Sequence, residues 1–435
     1  MTEHVNVPKL RFDEFKESSL QQTTLKNVLS LFNGFAFKST DSVGNGVRWI
    51  KIADVGIQEI SDKNISYLPV GFLEKYKKFK LDEGDIVVAL TRPVLNGKLK
   101  IAYIDEESKN SLLNQRVAKL LSNEHLDYVY YQVQCNRVIT SIVQNIAGTD
   151  PPNLAPSEIN HIKVSLPVLP EQQKIASFLS KVDEKISLLS EKKDKLTEYK
   201  KGVMQQLFNG KWGYVDGKED GQLTFIPPTL RFKADDSEFP DWEEKTLIEL
   251  ADQRLSNGVF NDPKRIGKGY KLINVKDMYS GNFIDTLTLS LLDLSEKEFS
   301  NNQVKYGDIF FTRSSLVPSG IAYSNVNLSN DDDITYDGHL IKFSPKLDMI
   351  SPYYFANYLR SYSSRKALIS RGKQSTMTTI GQEDIKDIRL LIPSLAEQTK
   401  IAKFLSSIDR KIDLTNSELE KAKEWKKGLL QQMFV

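Results

Sequence analysis

Several strings in this chain have the residue types of reactive sites. Asp150-Pro-Pro-Asn153 has the form of the Asp/Asn-Pro-Pro-aromatic loop that holds a flipped adenine in DNA-methylating enzymes, but Asn153 stands where a ring would stack on the base. No glycine-rich cofactor loop following a strand accompanies it, so the string reads as a turn and S-adenosylmethionine is expected to bind elsewhere. Pro240-Asp-Trp-Glu-Glu-Lys245 contains the letters of a metal-dependent nuclease site, yet such ligands normally come from separate strands and here they are crowded into an apparent entry to a helix. Gly267-Lys-Gly269 lacks the hydroxyl residue of a phosphate-binding loop, and no Gly-x-x-x-x-Gly-Lys-Ser/Thr occurs, which removes ATP hydrolysis from this chain. One cysteine, Cys135, and four scattered histidines (His4, His125, His161, His339) offer neither an intrachain disulfide nor a metal-ligand cluster.

Binding chemistry has better candidates. Thr91-Arg92 and Thr312-Arg313 follow matching predicted strands, and an arginine at a strand-to-loop junction can reach guanine or phosphate with two parallel hydrogen bonds. The competing reading pairs each arginine with a surface carboxylate. Lys98 and Lys100, and Lys264, Arg265, Lys268 and Lys271, form local basic loops suited to phosphate, although solvated lysines are common. Lys373-Gln374 lies in the loop before the C-terminal helical segment, where glutamine could read adenine or be an ordinary loop amide. The acidic run Asp331-Asp-Asp333 is expected to face away from any phosphate backbone. The 17 tyrosines and 21 phenylalanines are expected mostly in cores, since readers of a duplex rarely need stacking platforms.

These candidates sit on a unit written twice. Residues 169–208 recur 226 positions later without a gap, with 21 identities in 40 positions. The stretches before each copy correspond more loosely: Leu10-Arg-Phe12 with Leu230-Arg-Phe232, Gly84-Asp-Ile86 with Gly307-Asp-Ile309, and Ile101-Ala-Tyr103 with Ile321-Ala-Tyr323. Their shifting offsets imply insertions in loops, so the order is divergent module, preserved tail, divergent module, preserved tail. The tails read as long helices with a heptad seam at Ile175, Val182, Leu189, Leu196 and Val203, matched by Ile401, Ile408, Ile412, Leu419 and Leu429. Thr415 and Ala422 fall on the second seam, where packing should be thinner. From Glu171 to Phe208 such a helix is about 57 Å long. Runs such as Asp85–Leu90 and Asp308–Thr312 are β-rich and Tyr353–Ser361 is helical, so each module reads as α+β. The boundaries are set at 1–168, 169–210, 211–391 and 392–435, with the Gly- and Pro-containing stretch 209–228 as the exit from the first tail.

Composition bounds the rest. With 435 residues, 40% hydrophobic and 27% charged, the chain can build a sizeable core. Net charge is only +2, so any nucleic-acid face must be a local patch. No apolar run reaches the 18 to 20 or so residues of a membrane span, and the start lacks a signal peptide, so no membrane association and a cytoplasmic location are expected.

The strings Pro170-Glu-Gln-Gln-Lys-Ile-Ala and Ala396-Glu-Gln-Thr-Lys-Ile-Ala, each closing a module and opening a helix, resemble the specificity subunits of type I restriction-modification systems; so do Phe239-Pro-Asp-Trp-Glu-Glu-Lys-Thr-Leu and Gly307-Asp-Ile-Phe-Phe-Thr-Arg. The resemblance covers essentially the whole chain. It implies two α+β target-recognition domains separated by two long antiparallel coiled-coil helices, a pseudo-two-fold internal repeat. It also implies a non-catalytic reader of double-stranded DNA that docks two methyltransferase subunits and, through them, two restriction/translocation subunits. The complex would methylate adenine at N6 or cleave unmethylated DNA, with S-adenosylmethionine, ATP and magnesium held by the partner subunits and no cofactor or metal by this chain. Independently of the resemblance, a rod longer than one turn of B-DNA could let unlike modules enter major grooves on one face of the duplex, which predicts a bipartite, asymmetric target. Two similar helices suit two copies of one partner. The alternatives are a specificity subunit of a related system whose partner combines methylase and nuclease, a coiled-coil scaffold binding proteins, and a nuclease that would depend on Asp241.

Overall fold

The computed structural model describes residues 7–146, 150–214, 223–234, 237–260, 262–374 and 377–434. The chain divides into two compact units, Met1–Ser190 with Ser417–Val435, and Glu191–Asn416. Each unit therefore holds one module plus part of both tails.

In the first unit the module is built on an antiparallel sheet of β1 (Leu29–Asn33), β2 (Ile86–Ala89), β3 (Ile101–Tyr103) and β4 (Val117–Ser122), in the order β1-β4-β2-β3. The run Ile86-Val-Val-Ala89 does not alternate in polarity because both faces of β2 are covered. Ile86 and Val88 join a core formed with α1 (Leu126–Gln132) and α2 (Asn136–Asn145), while Val87 and Ala89 pack against Ile50, Leu81 and Leu113 of a second sheet. The first tail forms α3 (Leu169–Leu207), with Pro170 and Glu171 in its first turn, where a missing N–H and a negative charge are both well tolerated.

The second unit repeats the plan. Its sheet comprises β5 (Ser256–Asn257), β6 (Ile309–Thr312), β7 (Ser324–Val326) and β8 (Leu340–Phe343), in the order β5-β8-β6-β7. Ile309 and Phe311 face α4 (Pro352–Leu359) and α5 (Tyr362–Ile369), and Phe310 faces Ile273, Met278 and Tyr336. The second tail is α6 (Leu395–Met433). The segment after the first tail is more ordered than a plain exit loop: Lys211–Tyr214 pairs with Leu223–Ile226, and the Phe225 ring lies 5.8 Å from that of Trp242 in the core.

The seam differs in kind from a free-standing coiled coil. Ile175 and Val182 share one core with α1, α2 and Leu429, and Val203 shares another with Ile401, Leu405 and Ile408 plus the second module's helices. Among the described residues only Leu189, Leu419 and Ala422 form a buried cluster made of tail residues alone. Leu196 and Ile412 are half-buried, whereas Thr415 and Ala422 are buried, Thr415 placing its hydroxyl on the Lys411 carbonyl. Both small residues are thus covered from solvent, and the larger Leu196 and Ile412 are the more open positions. Within each unit the two tail segments run antiparallel: Asp183 pairs with Lys426 and Leu189 packs on Leu419 in the first, and Lys193 bonds Asn416 while Lys200 pairs with Asp409 in the second.

Candidate nucleic-acid interface

Residues of the Glu-Gln strings and of the repeated Leu-Arg-Phe hold each module to its helices. The Arg11 guanidinium grips the buried Glu171 carboxylate at 2.6 and 2.9 Å, and Arg231 grips buried Glu397 at 3.0 and 3.1 Å. Phe12 meets Phe178 edge-on, as Phe232 meets Phe404, and the Leu10 and Leu230 N–H groups donate to the Gln432 and Gln206 carbonyls. Gln172 and Gln398 accept from the backbone N–H groups of His125 and Ser351, the residues before α1 and α4. Asp85 and Asp308 cap their own turns through the N–H groups of Asp82 and Lys305 and pair with Lys119 and Lys342 on β4 and β8. Burial pushes the Asp308 carboxyl up and the Lys342 ammonium down. Pro240–Lys245 is not a helix entry: Trp242 is buried with its indole N–H toward Glu397, and Glu243–Thr246 is a strand paired with Arg389–Ile392. Among the described residues no group of three or more His, Cys, Asp or Glu could hold a metal ion.

The two Thr-Arg candidates lie at the far ends of β2 and β6. Register shows that Arg92 and Arg313 are not equivalent. Leu90 donates to the Arg116 carbonyl and accepts from Leu154, whereas Arg313 donates to the His339 carbonyl and accepts from Ile380. Arg313 thus occupies the position of Leu90, which is buried, and Arg92 lies two residues further on at φ 48°. The Ile-Ala-Tyr strings are out of step too, since Tyr103 faces Ile86 while Val326 faces Ile309. Both arginines are nevertheless exposed, and neither guanidinium has a partner among the described residues. Thr91 meets Asn153, its hydroxyl 3.2 Å from Oδ1, so the Asp150–Asn153 stretch packs beside Arg92.

The remaining candidates separate by what they touch. Lys98, on a hairpin pairing Val94–Leu95 with Lys98–Leu99, and Lys264 are exposed, and their ammonium groups have no partner among the described residues. Lys100 turns inward to the Ile52 carbonyl at 2.9 Å, and burial lowers its pKa. Thr312 is fully buried, its hydroxyl bonded to the Gly320 carbonyl and the Tyr323 N–H, so it has no atom left for DNA. Arg265 is held by both oxygens of Glu298, Lys268 by Asp293, and Lys271 by Asp331 and Asp333, the acidic run expected to turn away. Lys373 reaches Asp384 at 2.7 Å, but it and Gln374 join Ser314–Ser315 through Thr378–Thr379, so one small sheet carries them beside Arg313. The reading from sequence overlooked Lys75, Lys77 and Lys78, three lysines in four positions, of which Lys75 and Lys78 lie over the rings of Phe72, Tyr76 and Phe32. It also overlooked Arg116 and His339, whose signal is the pair of strings Asn114-Gln-Arg and Asp337-Gly-His, 223 residues apart.

Each unit also has a cleft between its module and tail residues, of about 610 Å³ in the second unit, where Asp409 and Ile412 of the second tail also line it, and about 540 Å³ in the first. The tail contributes the same places in the repeat to both: Lys200, Lys201 and Met204 to one, Lys426, Lys427 and Leu430 to the other.

Residues 17–198 and 240–424 both match the family described as the type I restriction modification DNA specificity domain. The chain is 32% identical over 212 residues to the Type I restriction enzyme MjaVIII specificity subunit of Methanocaldococcus jannaschii, covering 48% of this chain and half of that protein. It is 23% identical over 454 aligned positions to the putative type I restriction enzyme MjaX specificity subunit of the same organism, covering 94% and 92%. The fold is similar to the crystal structure of the type-I restriction-modification system S subunit from M. genitalium, with a TM-score of 0.57 at 16% identity over 99% of both chains. With its two modules and two tails both accounted for, the chain belongs to the family of type I restriction-modification DNA specificity subunits.

Proposed function

We propose that this chain is the DNA-reading subunit of a type I restriction-modification complex, each module reading one half of a split, asymmetric site and the tails setting the distance between halves. The observation that carries the reading is two copies of one specificity domain whose framework is preserved while the side chains at the strand ends differ, an exposed Arg313 standing in the register position where Leu90 is buried. A preserved frame with different exposed donors and acceptors is what two unlike half-sites require. The two methyltransferase subunits dock on the tails, and the clefts lined by the same tail positions favour two copies of one partner. Restriction/translocation subunits join through the methyltransferases. S-adenosylmethionine, ATP and magnesium act in those partners, and this chain contributes binding and no bond-making. Expression with its methyltransferase, followed by genome-wide mapping of N6-methyladenine, should give one motif of two unlike halves with a fixed gap. A continuous palindrome, or no sequence-specific methylation, would refute the reading.

A further inference from the structure

One turn is built twice at the exposed end of the central sheet. In the first module the Asn114 Oδ1 accepts from the Arg116 N–H at 3.3 Å, the Val117 N–H returns to the Asn114 carbonyl at 2.9 Å, and the Gln115 N–H bonds the Phe35 carbonyl at 3.0 Å. In the second the Asp337 Oδ1 accepts from the His339 N–H at 2.7 Å, Leu340 returns to Asp337 at 2.9 Å, and Gly338 bonds Val259 at 2.7 Å. The strand crossing each turn needs a glycine: a Cβ at Gly34 would lie 2.2 Å from the Leu113 carbonyl oxygen, and one at Gly258 2.0 Å from that of Tyr336. The backbone is thus held to one shape in both modules, and the side chain it presents is what changes.

Arg116 is exposed, and its guanidinium has no partner among the described residues. It offers the planar fork that fits guanine O6 and N7. The His339 side chain is 57% exposed, with Nδ1 fixed 2.7 Å from the buried Asp337 carboxylate, so its Nε2 is the free ring nitrogen. Beside it stand Arg313, joined backbone to backbone, and the edge-on ring of Phe260, 73% exposed at 6.2 Å. An exposed arginine with no carboxylate and an exposed histidine held in one orientation are both dressed for contact with something outside the chain.

We propose that Arg116 and His339 are the equivalent base-reading positions of the two modules, each specifying one base pair of its own half-site, with Asp337 as the positioning residue for His339. This rests on the proposed function and deepens it. The test is methylation mapping of the whole chain with its methyltransferase, comparing Arg116→Gln, His339→Gln and Asp337→Asn with the unaltered protein. Arg116→Gln should make one position of one half-site degenerate, with preference there falling about tenfold or more, and leave the other half unchanged. His339→Gln should do the same in the opposite half. Asp337→Asn keeps the turn, as Asn114 does naturally, but loosens the imidazole, and should weaken preference at the same position as His339→Gln. Thermal melting of each variant confirms that it is folded.

If the unaltered protein gives a split motif that neither Arg116→Gln nor His339→Gln changes, this inference fails and the function stands. Uniform weakening on all sequences with a changed salt dependence would make both residues phosphate contacts and would also overturn it. If the unaltered protein gives no split motif, the function itself fails.

Discussion

Glu397 is buried against the Arg231 guanidinium, and its environment decides what Arg231 is worth. Removing one member of a buried pair strands the other charge away from water. Arg231→Met should therefore cost the second unit on the order of 3 kcal/mol in urea unfolding, and Arg231→Met with Glu397→Leu should recover most of it. A single-variant loss no larger than that of a surface substitution would remove the clamp. Glu298 gives a pH test. Hydrogen bonding from Arg265 holds its carboxyl down to about 2, against 4.5 for an ordinary glutamate. The folded state binds that proton less readily than the unfolded chain, so the pair's contribution is complete above the unfolded value and fades as pH falls toward the folded one. The melting-temperature advantage of the native protein over Glu298→Gln should shrink steadily between about pH 6 and 3, and a constant difference would contradict the assignment. These two clamps explain why side-chain roles were only partly legible from sequence. The Glu-Gln strings, Phe239-Pro-Asp-Trp and Gly307-Asp-Ile identified the family, but charge alone could not reveal that Arg11, Arg231 and Arg265 would be consumed internally while Arg92, Arg116 and Arg313 remain open.

At the scale of elements, the tails were the most legible part of the chain, because a heptad seam over many turns leaves few alternatives. Their packing was less so, since periodicity records which face is apolar and is silent on what covers it. Leu405 is fully buried among the second module's core residues, whereas Leu189 rests on Leu419 and Ala422. Leu405→Ala should cost about 4–5 kcal/mol and Leu189→Ala about 2–3 kcal/mol, because a site enclosed by several elements collapses less after truncation. Reversal of that order in denaturant titrations would restore the picture of a uniform coiled-coil seam. The same helices carry the spacing role in the proposed function. Inserting seven residues after Ser190 and seven after Asn416 preserves the heptad and adds about 10 Å to each helix. The methylated motif should then keep both halves and gain roughly three base pairs between them, at about 3.4 Å per pair. An unchanged gap would deprive the helices of that role.

For the molecule as a whole, the repeat of 226 residues announced two modules, but the compact units do not follow the order of the chain, because Ser417–Val435 folds with the first module and Glu191–Leu207 with the second. The divergent modules also hid their own alignment. Thr-Arg and Ile-Ala-Tyr recur by coincidence of letters, and only the ladder of hydrogen bonds fixes the equivalence at an offset of 223. Both points govern how a module exchange should be made. A junction at 391 would cut the strand Arg389–Ile392, which pairs with Glu243–Thr246, and one inside α3 would separate Val203 and Leu207 from the core they fill. Replacing Asn209–Ser394 with the corresponding segment of another family member keeps the strand pair, the hairpin at Lys211–Ile226 and both helices intact. Since Arg313, His339 and Phe260 all lie inside the exchanged segment and Arg92 and Arg116 outside it, one half of the methylated motif should change completely while the other half and the gap stay as they were. Alteration of both halves would mean that the modules do not read independently, and the division of labour argued from the two strand ends would fall.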